Sequence, residues 1–254
     1  MEVHHHAHTP RKKWTHYLWE FLMLFLAVFC GFMAENQREH FVERQRAKQY
    51  AKSLLADLRL DTTELSQGLI MTQFTISSMD SLLAMTVPTA KTDIMPGTFY
   101  YYNTVISGSY RIDWNKSTIN QMVQSGTLRY FQNELGNKIS EYYAFQTALS
   151  GNNQVDIIYR DKIMEISSHI LENHYFRFFA ATNADSTQPL SGKRDSLMAI
   201  QLPIQQGSSK LIDELLNQIT FRRWRLTPLV SYYKKATNDA KEIIALLKQL
   251  YHLK

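Results

Sequence analysis

The residues of this chain with the types and spacing for chemistry fall into a few groups. His4, His5, His6 and His8 lie close enough together to chelate a transition metal through their imidazoles. Only Glu2 stands near them as a further ligand, so a tail whose histidines bind nothing specific is the plainer expectation. Glu20 lies in an otherwise apolar run, where an ionisable group usually faces a protein partner. It also fits an interfacial carboxylate beside Lys12, Lys13 or His16. Asp57 and Asp61, four residues apart, share one face of a helix, where paired carboxylates bind a cation or perform acid–base work. With Lys52, Arg59 and Thr62 close by, they equally fit a solvated face. Arg222, Arg223, Trp224 and Arg225 form the densest basic-aromatic cluster, suited to an anionic ligand, a lipid headgroup or a partner's acidic face. The same cluster would complement the C-terminal dipole of a helix over 208–221. Ala27, Gly31 and Ala34 set small side chains at steps of four and three, which in lipid lets a second helix approach closely.

No catalytic residue follows from these groups. The chain has no zinc-type His-Glu-x-x-His, no phosphate-cradling glycine loop and no nucleophile elbow. No cofactor is expected, and the abundant Phe, Tyr and Trp read as core.

The element that organises the chain is Tyr17–Ala34, YLWEFLMLFLAVFCGFMA. Its uninterrupted part, Phe21 to Ala34, is short for a membrane span, but extension back through Trp19, Leu18 and Tyr17 gives enough length. The Leu, Phe and Val side chains between Leu18 and Phe32 favour insertion by roughly 3 to 5 kcal/mol. Glu20 would cost about 3 kcal/mol at mid-bilayer, yet it lies within a turn of the end and reaches the interface. Trp14, Tyr17 and Trp19 sit where an interfacial aromatic belt belongs. Cleavage after Ala34 is disfavoured by bulky Phe32 at −3, and a lipoprotein at Cys30 by Phe29 before it. The span is therefore expected to remain as an anchor. Arg11, Lys12 and Lys13 precede it, whereas Arg38, Arg44, Arg46, Lys48 and Lys52 follow it among acidic residues. The compact basic cluster on a short tail favours an N-terminus inside and a translocated domain. The expected division is a cytoplasmic tail at 1–16, a transmembrane helix at 17–34 and a helical domain at 35–254.

A net charge of +5 without a concentrated patch argues against nucleic-acid binding. The single Cys lies in the span, so the domain has no disulfide. Beyond the membrane, Ala47, Ala51, Leu54, Leu58, Leu65, Leu69, Ile76, Met79 and Leu83 keep a seven-residue rhythm, predicting one helix to about residue 86. Gly68 weakens it by about 1 kcal/mol. Residues 87–114 carry turn signals and an aromatic stretch, read as a short hairpin or aromatic loops. A second helical region is expected over about 115–149, kinked at Ser125-Gly126, with Leu128, Phe131, Leu135, Ile139, Tyr142, Phe145 and Leu149 inward. Gly151-Asn152-Asn153 reads as a turn before a third helix over about 154–181, with Val155, Ile158, Ile163, Ile166 and Ile170 inward. A loop follows at 183–207. A fourth helical region covers 208–252, jogged where Pro228 opens a first turn. Its stripe is Leu226, Leu229, Tyr233, Ala240, Ile243, Leu247 and Leu250. The fold class predicted is all-α: an N-terminal transmembrane helix continuing into a four-helix-bundle-like domain with an irregular aromatic insertion. Up-down-up-down order returns the C-terminus to the bilayer.

Three segments carry a resemblance: HTPRKKWTHYLWEFLMLFLAVFCGFMAENQREH (8–40), LLADLRLDT (54–62) and STINQMVQSGTLRYFQNELGNKISEYY (117–143). Through them the chain resembles an uncharacterised family of bacterial single-span membrane proteins with a helical extramembrane domain. That resemblance implies a membrane protein of the bacterial inner membrane and transfers no activity.

The functional expectation is a non-catalytic, membrane-anchored interaction or sensory module with a periplasmic domain. Its partners would be membrane lipid and either further copies of itself or another membrane protein. The alternatives are a structural or accessory subunit of a cell-envelope complex and, less favoured, a membrane-bound enzyme.

Overall fold

In the computed structural model the described residues are 14–85, 94–108, 110–183 and 192–253. They form an all-α chain. Helix α1, Trp14–Ala84, is 71 residues long and runs without interruption from the apolar segment into the domain. At 1.5 Å per residue it spans about 105 Å. Every residue from 14 to 40 is exposed, whereas Ala47, Ala51, Leu54, Leu58 and Leu65 are buried. The one sequence element thus serves two environments.

Two further long helices complete the core: α4, Asn133–Ser168, and α7, Ser209–Tyr251. Helix α7 packs along both α1 and α4. Arg223 pairs with Asp80 of α1, Lys138 of α4 with Glu242 at 2.8 Å, and Arg222 with Asp156 of α4 at 2.7 Å. Thr72 of α1 also hydrogen-bonds Tyr233, so on both α1 and α4 sequence numbers rise as they fall on α7, which runs antiparallel to both. Its C-terminal end comes back to the start of the domain, where Tyr251 meets Phe131 with ring centroids 5.5 Å apart.

Between α1 and α4 the chain makes a segmented return, with no fourth long helix among the described residues. Helix α2 (Gly97–Ile106), α3 (Ser117–Gln124) and a 3-10 helix (Thr127–Tyr130) bring the chain from the far end of α1 back to its near end. At the far end α5 (Asn173–Asn183) and α6 (Gly192–Met198) pack, with α2 against both of them. A two-stranded antiparallel ribbon pairs β1 (Ile94–Pro96) with β2 (Gln201–Pro203).

Several expectations are corrected. The aromatic stretch from Phe99 to Ile106 is a helix, not a hairpin or loops, because packing decides over strand propensity: Phe99, Tyr100, Asn103 and Ile106 fall on one buried face. Gly97 opens that helix, since an added Cβ would lie 1.8 Å from the Leu197 carbonyl. The predicted region 115–149 is divided, with Gly126 in the left-handed conformation (φ 65°) and Phe131 extended. The expected turn at Gly151-Asn152-Asn153 lies inside α4. A helical glycine costs only about 1 kcal/mol, less than packing α4 along α7 returns. As α4 runs through, Ile158 falls outward and is 68% exposed, whereas Leu149, Asp156, Ile163 and Ile170 are buried at seven-residue steps. Pro228 sits within α7 and starts no new helix. Thr227 Oγ1 and Ser231 Oγ donate to the carbonyls of Arg223 and Pro228 around it. The segment 183–207, expected to be a loop, holds α6 and β2 among its described residues.

Candidate functional site

Asp57 and Asp61 are not on a solvated face. Both are buried, Asp61 completely, where α1 meets α4 and the segment before α3. The Asn115 backbone N–H donates to Asp61 Oδ1 at 3.2 Å, and Asn115 Nδ2 donates to Asp57 Oδ1 at 2.8 Å. Asn115 Oδ1 accepts from Ser117, so the same residue fixes the start of α3. From α4, Gln146 Nε2 donates to Asp61 Oδ2 at 2.7 Å and the Tyr142 hydroxyl to the same oxygen at 3.1 Å. One carboxylate therefore ties three parts of the chain together.

Among the described residues, the buried atoms Asp57 Oδ2, Gln146 Oε1 and the Tyr143 hydroxyl have no hydrogen-bonding partner, nor does Trp114 Nε1, next to Asn115 in the chain. Burial pushes the Asp61 carboxyl up to about 6; the donors from Asn115, Tyr142 and Gln146 act against this and the charge of Asp57 adds to it. Tyr142 and Tyr143 are pushed far above the usual phenol range, first by burial and then by the charge of Asp61. The donor set suits a proton better than a divalent cation. Calcium takes six to eight oxygens, whereas here most groups are N–H or O–H donors already aimed at carboxylate. Among the described residues no three His, Cys, Asp or Glu side chains gather as a metal site. Gln146 is placed to accommodate the proton: turning its amide over presents Oε1, an acceptor, to a protonated Asp61.

The 222–225 cluster does not form one surface. Arg222 is buried and makes a two-pronged pair with Asp156, Nε to Oδ1 at 2.7 Å and Nη2 to Oδ2 at 2.8 Å. It also donates to the carbonyl of Ile106 and, at 2.9 Å, to that of Gly108, just past the end of α2. Its charge is thus spent inside the domain and is closed to an anionic ligand. Arg223 pairs with Asp80, and Arg225 donates to Asn152 at 3.4 Å. Trp224 alone points outward, 68% exposed. The cluster does not neutralise a helix end, because α7 continues through it.

Along the span, Glu20 pairs with His16 at 3.0 Å, one of the interfacial partners expected for it. Ala27, Gly31 and Ala34 are all exposed, and nothing approaches Gly31 within 4 Å. His4, His5, His6, His8 and the Arg11-Lys12-Lys13 cluster lie outside the described residues.

Sequence reasoning missed Asn115, Gln146, Tyr143 and Asp156 as members of buried polar centres. A signal was present in the core rhythm itself. Leu58, Asp61 and Leu65 follow one another at steps of three and four, as do Ile219, Arg222 and Leu226, while Asp156 lies seven from both Leu149 and Ile163. Each long helix puts a charged residue where its neighbours in the pattern are apolar. No protein-family model, no curated protein and no solved structure matches this chain.

Proposed function

We propose that the protein is a single-pass, membrane-anchored helical module that binds or senses and performs no catalysis. The observation that carries this reading is the continuity of α1. Its N-terminal part is long and apolar enough to cross a membrane, and none of it is covered by the domain. The same helix then supplies the core and the Asp57–Asp61 pair. A change at the buried carboxylates acts on the element that enters the bilayer, with no flexible joint between them. The chain is placed in the bacterial inner membrane with residues 1–16 cytoplasmic and the domain periplasmic, on the strength of the basic cluster before the span. Further copies of the chain or another membrane protein are its partners, through the small-residue face at Ala27, Gly31 and Ala34.

The second reading, an accessory subunit of an envelope complex, is favoured by outward-facing Phe221 and Trp224 on α7. Copurification of a stoichiometric membrane partner in mild detergent would shift the balance to it.

The anchor is tested by washing membranes with alkaline carbonate and fusing a reporter after Lys254. The expected result is retention in the membrane with an intact N-terminus, with alkaline phosphatase active and a cytoplasm-dependent fluorescent protein dark. Release by carbonate overturns the anchor. The opposite reporter pattern overturns only the orientation.

A further inference from the structure

At the end of the domain far from the apolar segment, a cavity of about 270 Å³ lies where α2 and α4 end and α5 begins. No charged side chain lines it. The carbonyl end of α4 and the amide end of α5 both border it, and the half charges of opposite sign at two such ends offset each other. An ion of either sign finds no counter-charge here, so the occupant that fits is uncharged.

The polar part of the lining is one-sided. Asn103, fully buried on α2, donates through Nδ2 to the Phe99 carbonyl at 2.8 Å, which leaves its Oδ1 to accept. That oxygen accepts from the Ser167 hydroxyl at 3.1 Å, and the Asn103 carbonyl accepts from the Ser107 hydroxyl at 2.6 Å. Ser168 Oγ donates to the Glu165 carbonyl at 2.7 Å. All three hydroxyl hydrogens are spent on the protein, and what these serines still offer is oxygen lone pairs. Gln205 adds a further acceptor. Both bonds of its Nε2, each 3.1 Å long, run to carbonyls, those of Ser168 and Leu171, so Oε1 is the atom left. Asn173, exposed, is the remaining polar side chain of the lining. Leu171, Phe176 and Met164 supply the apolar part. A ring and a thioether favour an aromatic body over an aliphatic one. A dry cavity of about 150 Å³ holds benzene, so this one takes roughly ten non-hydrogen atoms.

We infer that this cavity binds a small, uncharged aromatic hydrogen-bond donor of the indole or phenol class. Its N–H or O–H is directed at the oxygens of Ser107, Ser168 and Gln205, and its ring lies against Phe176 and Met164. Such binding requires neither the anchor nor the carboxylate pair.

The test uses the full-length protein in dodecyl maltoside, dialysed to equilibrium against indole, with protein-free micelles at the same detergent concentration as the blank. One saturable indole per chain above the blank is expected. Benzofuran, which keeps the shape and lacks the N–H, should bind about tenfold more weakly, the loss of one hydrogen bond. Met164→Trp puts a ring into the cavity from an exposed position and leaves the bonds around Asn103 untouched. It should abolish the excess uptake while the melting temperature, read by circular dichroism, stays within a few degrees. If that variant unfolds, Ser168→Phe, at a second exposed lining position, takes its place. No excess over micelles up to millimolar indole overturns the site. Equal binding of benzofuran overturns recognition of the donor. Undiminished uptake by a folded, filled variant places the indole elsewhere and overturns the cavity.

Discussion

Asp61 is the residue whose chemistry departs furthest from that of its type. A carboxyl at about 6 in the folded protein, against 3.8 when free, means the folded state takes up a proton that the unfolded chain releases. The contribution of this group to stability is therefore full below about pH 4 and is lost as pH rises through about 6. It amounts to about 3 kcal/mol, from 1.36 kcal/mol per pH unit. The groups facing it are Asp57 on its own helix, Asn115 before α3, and Tyr142, Tyr143 and Gln146 on α4. Asp61→Asn keeps the shape and stays neutral, and an inverted Gln146 amide accepts from its new N–H. Urea unfolding of this variant and the natural protein from pH 4 to 7 should show the Asn protein gaining by about 3 kcal/mol across the range. A pH-independent difference would mean that Asp61 ionises as freely in the fold as outside it.

Between helices, the Arg222–Asp156 pair does the analogous work. It joins α7 to α4 and supplies donors to the carbonyls that end α2. Arg222→Ala leaves a buried carboxylate alone and should lower stability by about 3–5 kcal/mol in denaturant unfolding. Arg222→Met with Asp156→Leu should recover most of that. A deficit of about 1–3 kcal/mol should remain, because the Ile106 and Gly108 carbonyls lose their donor. A double variant as unstable as the single one would contradict this assignment. These centres also explain what the sequence made legible among the elements. Long helices with an unbroken three-four rhythm, α1 above all, were readable because each position reports its own burial. Asp57 and Asp61 were legible as a pair on one face, but not as buried, since their partners Asn115 and Gln146 lie 54 or more residues away. The break beginning at Ser125-Gly126 was legible as a kink, because Gly126 follows its local preference for the left-handed conformation, though its extent to Gln132 was not. At 151–153 the same local preference of glycine and asparagine is overridden by the packing of α4 on α7. The helical Phe99–Ile106 stretch is likewise a product of its tertiary surroundings, with Tyr100 held by Pro203 and Glu172.

At the scale of the whole molecule, one helix joins an uncovered apolar segment, long enough to cross a membrane, to the core of the domain. Residues 35–84 extend it about 75 Å beyond the span. Any event at the far end or at the carboxylate pair bears on the same continuous helix. A break near residues 35–41, all of them exposed, would uncouple them. The most direct test is a distance measurement across that region in lipid. Spin labels at Met33→Cys and Leu60→Cys, both exposed positions, are introduced with Cys30→Ala, and the distance is read by pulsed dipolar spectroscopy in liposomes. A continuous helix predicts one narrow distribution centred at about 40 Å, the rise over the intervening residues. A broad distribution, or one centred well below that length, would contradict a helix that carries the domain rigidly into the membrane.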